Sequence, residues 1–168
     1  FLVFEKAVFF SHISITMSAT DSFSKLKSFL ETQPASQKAL RHLKPGVQIG
    51  IIIGHQIHCA LYHVDKKPIF EQQQAKSPDV IFYIKPESVD ILCKQPAEDV
   101  GEFGIEVLKE YLSGGVRIQI PGSLWAITKN GYLGMIAEGG QTLMKFLASH
   151  GIHNITKVLS TIRELKKN

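Results

Sequence analysis

Asp79-Val80-Ile81-Phe82-Tyr83-Ile84-Lys85-Pro86-Glu87-Ser88 is the stretch on which the fold turns. Its first half is a run of β-branched and aromatic residues with the length of a strand. Its second half has the marks of a helix start. Pro86 sits near the first helical position, where its missing N–H is no loss, and Glu87 falls in the first turn. Upstream lie three more strand candidates: Val47–Ile53, Gln56–Val64 and Ile69–Ala75. The turns between them, at Gly54 and at Asp65-Lys66-Lys67-Pro68, are short and predict antiparallel hairpins. In the second strand Ile57, Cys59 and Leu61 share one face, and His58, Ala60 and Tyr62 the other.

Downstream the pattern turns helical. Pro96 breaks the first helix, Ala97-Glu98-Asp99 starts the next, and Gly114-Gly115 stops it. One late strand follows, Val116-Arg117-Ile118-Gln119-Ile120, closed by Pro121-Gly122. The remainder reads as helices punctuated by Gly131, Gly139-Gly140 and Gly151. The last carries an apolar stripe at Ile155, Val158, Leu159, Ile162 and Leu165. Ahead of the strands, Asp21 or Ser22 is placed to cap a helix running to about Gln33. A short helix from Ser36 to Leu43 and a Lys44-Pro45-Gly46 turn come next. A strand meander followed by helices and one late strand is an α+β pattern.

The 168 residues suit one domain, read as 21–168, and 44% hydrophobic residues suffice for a sizeable core. Residues 1–20 read as an extension, either an extra strand or an unordered tail, because Met17 resembles an ordinary start. Their apolar run is broken by Glu5 and Lys6 and is too short to span a bilayer. A net charge of +4 from scattered lysines argues against a nucleic-acid partner, and it is compatible with transient contact with an anionic membrane surface. Cys59 and Cys93 have neither CxxC spacing nor a zinc pattern. They read as buried free thiols, which fits a reducing, cytoplasmic setting.

His55, His58 and His63 lie on one hairpin, but His58 and His63 point to opposite faces and no acid completes a zinc set, so no metal is expected. Ser123 follows a Pro-Gly turn but lacks the second glycine of a nucleophile elbow, and it reads as a helix N-cap. The pairs Glu98/Asp99 and Glu87/Asp90 fall in first helical turns, where they complement the macrodipole. Gly114-Gly115 and Gly139-Gly140 lack phosphate-loop spacing. No catalytic residue and no cofactor is expected.

From Val47 to Gly151 the chain resembles the sterol carrier protein family of lipid-transfer domains. The resemblance rests on order and texture. The strand running into a helix at Asp79–Ser88 is one part, and the late strand Gly115-Val116-Arg117-Ile118-Gln119-Ile120-Pro121-Gly122 is the other. It implies a mixed, mainly antiparallel five-stranded sheet with helices packed on one face. Between them it implies an apolar tunnel for a sterol, fatty acyl chain, phospholipid or isoprenoid. Strand parity places Val80, Phe82 and Ile84 on the helix-covered face, with Ile118 and Ile120. Leu92, Phe103, Leu108, Trp125, Met135, Met144 and Leu147 are the residues expected to complete the lining.

The chain departs from the family in three places. Gln95–Gly104 reads as an insertion. The residues beyond Gly151 are additional, and are expected to lid the pocket or to meet a second copy or another protein. The end, Lys166-Lys167-Asn168, is not a peroxisomal address. Three functions follow in order: a non-catalytic lipid binder or carrier, an accessory module with a solid core supporting a lipid or quinone biosynthetic complex, and a small enzyme acting on acyl substrates.

Overall fold

The structure is a computed structural model and describes residues 19–167. The expected extension therefore lies outside the described residues, apart from 19 and 20. The first described helix, α1, covers 19–32 and continues past the expected caps, leaving Asp21 and Ser22 inside it. Ala19 is buried and approaches Gly54, so tertiary packing extends the helix beyond its local start signal. α2 is Pro34–Leu40, with Pro34 in the first turn, two residues earlier than the sequence pattern indicated.

The sheet comprises β1 (Ile49–Ile53), β2 (Ile57–Val64), β3 (Lys67–Glu71), β4 (Ile81–Ile84) and β5 (Val116–Gln119). Its spatial order is β3-β2-β1-β4-β5. Three pairings are antiparallel, and β1 with β4 is parallel. The expected mixed, mainly antiparallel α+β sheet is what forms. β3 begins two residues earlier than expected, because the β2–β3 turn is only Asp65-Lys66. Both have positive φ (49° and 66°), the backbone that suits a two-residue hairpin loop. Pro68 then falls inside β3, which is tolerable because β3 is an edge strand.

α3 (Pro86–Leu92) and α4 (Val100–Ser113) separate β4 from β5. α5 (Leu124–Lys129), α6 (Tyr132–Glu138), α7 (Gly140–Ser149) and α8 (Ile155–Leu165) follow. One sheet face carries Ile49, Ile51, Ile53, Ile57, Cys59, Leu61 and Phe70, all buried in the core shared with the helices. The opposite face carries the exposed His58, Arg117 and Gln119.

Both sheet edges are closed by helical lysines. On the β3 edge, Glu31 accepts a hydrogen bond from the Phe70 N–H (2.9 Å), and Lys27 donates to the Phe70 carbonyl (2.7 Å). Lys27 and Glu31 also pair with each other, one turn apart on α1, at 2.6 Å. Beyond β5, Lys166 donates to the carbonyls of Ile120 (3.2 Å) and Gly122. Free strand edges invite pairing with other chains, and these contacts engage Phe70 on the β3 edge and the carbonyls just beyond β5.

Candidate apolar ligand site

The β4–β5 half of the sheet decides the site. Val80, Ile84, Val116 and Ile120 all lie on the helix-covered face and are buried. Phe82 and Ile118 lie on the same face and are cross-strand partners, yet both remain partly open to solvent. An inward-facing pair is open only where the covering layer is incomplete. α4 packs on β5 and supplies that layer, while α8 packs on α5 and reaches the end of β5 through Lys166. Phe103, Val107 and Tyr111 recur one turn apart along α4, pack against the core and stay partly exposed. Met135 of α6, Ile162 of α8 and Leu165 behave in the same way.

A cleft of about 490 Å³ opens beside this region, between the end of α3 and the start of α4. Leu92 and Phe103, two of the expected lining residues, meet in it, together with Ile91, Pro96 and Ile105. Its polar walls include Lys94, Glu102 and Glu106. The volume falls in the range of small-molecule sites. The segment read as an insertion, Gln95–Gly104, thus supplies one wall.

The remaining expected lining residues divide. Leu108 on α4 and Met144 and Leu147 on α7 are partly exposed, on two helices that pack against each other. Trp125 does not lie between sheet and helices: it is 72% exposed on the outward side of α5. Ile127 takes the buried side of that helix, and a residue two positions away points about 200° round the axis. Of the α8 stripe, Val158 is buried and Ile162 packs against the core, as does Leu165, so this stripe is largely used within the domain. Ile155 stays exposed.

A second cleft, of about 590 Å³, lies on the open face of the sheet, where no site was expected. Gly50, Ile52, Ile81 and Tyr83 form its floor, with Asp79 and the 74–78 loop beside them. Strand parity alone puts Ile52 and Ile81 on the face away from the helices, and that was the available signal.

The groups considered for chemistry have structural roles. The Ser123 hydroxyl accepts from the Ala126 N–H at 3.0 Å and caps α5. Asp99 caps α4, accepting from the Glu102 N–H at 2.9 Å. Burial pushes the Cys59 thiol up to about 12 and the Cys93 thiol up to about 11, so neither is a ready thiolate at neutral pH. His63 Nε2 is engaged by the Leu43 carbonyl at 2.8 Å, and His58 is exposed. Among the described residues, no three His, Cys, Asp or Glu side chains converge as a metal site, and no helix is long and apolar enough to cross a membrane.

No family model matches the chain, and no curated protein does. One solved structure that resembles it is described as "UbiJ-SCP2 Ubiquinone synthesis protein". The match covers 75% of this chain and 95% of that one, at 16% identity and a TM-score of 0.41.

Proposed function

We propose that the protein binds a hydrophobic small molecule, non-catalytically, between the β4–β5 half of the sheet and the helices above it. The observation that carries this reading is the partly open Phe82–Ile118 pair on an otherwise buried face. Apolar side chains that face inward but are incompletely covered gain from a ligand that completes the covering. Each methylene removed from water contributes about 0.8 kcal/mol, so a fatty or isoprenoid chain needs few polar contacts to be held. The cleft at Leu92 and Phe103 shares Phe103 of α4 with the layer over the sheet. The ligand classes are those the sequence resemblance implies: sterol, fatty acyl chain, phospholipid or isoprenoid. The thiol and hydroxyl groups already engaged or masked in the fold favour carriage over catalysis.

Native mass spectrometry of the purified protein tests the proposal, followed by extraction under denaturing conditions. The expected result is a copurified lipid that is lost on denaturation, or stoichiometric uptake of a fatty acid, sterol or isoprenoid quinone. A ligand-free mass together with no uptake of any of these probes would overturn it.

A further inference from the structure

The charge of this chain is unevenly placed. From Pro121 onward six basic residues, Lys129, Lys145, Lys157, Arg163, Lys166 and Lys167, stand against two acidic ones, Glu138 and Glu164. That surplus of four equals the net charge of the whole chain, so the first 120 residues are balanced. Within the basic part sits Trp125, the only tryptophan and the most exposed large apolar side chain named above.

The fold gathers these features. Lys129 lies one helical turn from Trp125 on α5 and is likewise exposed, so the two share the outward side of that helix. Lys166 donates to the Gly122 carbonyl, three residues before Trp125, and so brings the last turn of α8 beside the start of α5. The exposed Arg163 and Lys167 come with it. The nearby acids are Glu164, exposed on α8, and Asp79, whose carboxylate accepts from Asn130 at 2.7 Å. An exposed indole with Lys129 one turn away and the basic end of α8 beside its helix matches the boundary of an anionic bilayer, where the ring sits at headgroup level and the cations meet lipid phosphates and carboxylates.

We propose that the outward side of α5, with the α8 C-terminus, docks on an anionic lipid bilayer, with Trp125 inserted at the interface. The docking side adjoins α8, whose Lys166 bonds the Ile120 carbonyl at the end of β5, so docking brings that end of the sheet to the lipid surface. The proposal stands on Trp125 and the basic cluster and does not require the apolar ligand site.

Trp125 is its own reporter. Titrating the protein with phosphatidylserine-containing vesicles is expected to shift its emission to shorter wavelength, and brominated acyl chains are expected to quench it. Pure phosphatidylcholine vesicles are expected to do neither. Lys129→Glu and Lys167→Glu are each expected to weaken partitioning at least about five-fold, since a basic residue at such a surface is worth about 1 kcal/mol. Both side chains are exposed, and circular dichroism checks that the variants fold. Trp125→Ala, followed by co-sedimentation, is expected to lower binding as well. An unshifted emission with anionic vesicles, equal binding to neutral ones, or insensitivity to both reversals would overturn the proposal. So would an equal shift on adding single-stranded DNA alone, which would mark a nucleic-acid surface. Uptake of a soluble fatty acid without vesicles is measured in parallel on the Lys129→Glu variant. It is expected to be unchanged, so failure of the docking surface and failure of the apolar site are told apart.

Discussion

Phe82 and Ile118 face each other across the antiparallel β4–β5 pair, and both are more open than the neighbours that share their face. Filling the space over the pair separates a ligand site from a solid core. Ile118→Trp is expected to reduce lipid uptake at least ten-fold while changing stability by less than about 1 kcal/mol. In a solid core the same change would be overpacking, with a loss of roughly 1–3 kcal/mol. Uptake of a fluorescent fatty acid, and urea unfolding followed by circular dichroism, read the two effects separately.

Two glycines of α4 are expected to respond oppositely to alanine. In an open helix position, glycine to alanine stabilises by up to about 1 kcal/mol. At Gly104 an added Cβ would meet only the two Leu143 methyls, at 3.4 and 3.6 Å, so Gly104→Ala is expected to be neutral or stabilising. At Gly101 it would lie 2.3 Å from the Gly139 carbonyl oxygen, a backbone group where α6 meets α7. Gly101→Ala is therefore expected to cost roughly 1–3 kcal/mol despite the better propensity. Urea midpoints of the two variants against the parent protein check both signs.

The Glu31 clamp on β3 predicts a loss of stability in acid. Partial burial pushes the Glu31 carboxyl up, but the Lys27 ammonium and the Phe70 N–H together pull it net below its ordinary value of 4.5. A carboxyl depressed in the folded state stabilises fully above its unfolded value, and that contribution is lost as pH falls through the folded value. Glu31→Gln is expected to be less stable than the parent at neutral pH. The difference is expected to shrink below pH 4.5, where the parent's own carboxyl becomes protonated. Urea midpoints for both proteins between neutral and acidic pH measure this.

Local signals located most elements correctly. The β-branched runs at Val47–Ile53 and Val80–Ile84 became β1 and β4, and the alternation at Val116–Ile120 became β5. Ser123 is legible as a cap because capping depends on four consecutive residues and little else. The β2–β3 turn is two residues shorter than the sequence pattern indicates, because Asp65 and Lys66 adopt positive φ without a glycine to announce it. The extent of α1 was missed because contacts of Ala19 with distant residues, not its own neighbours, carry the helix past its cap signals.

The sequence by itself determined the α+β class, the strand positions and which residues share a sheet face, since these follow from periods of two and from short-range turn chemistry. Parity alone put Val80, Phe82, Ile84, Ile118 and Ile120 on one side. Only the tertiary structure decided which of them are sealed and which stay open. It packed α4 on β5, left the Phe82–Ile118 pair incompletely covered, and turned Trp125 outward once Ile127 had taken the inner side of α5. Those outcomes depend on how helices far apart in the chain share one surface, and no local pattern encodes that division.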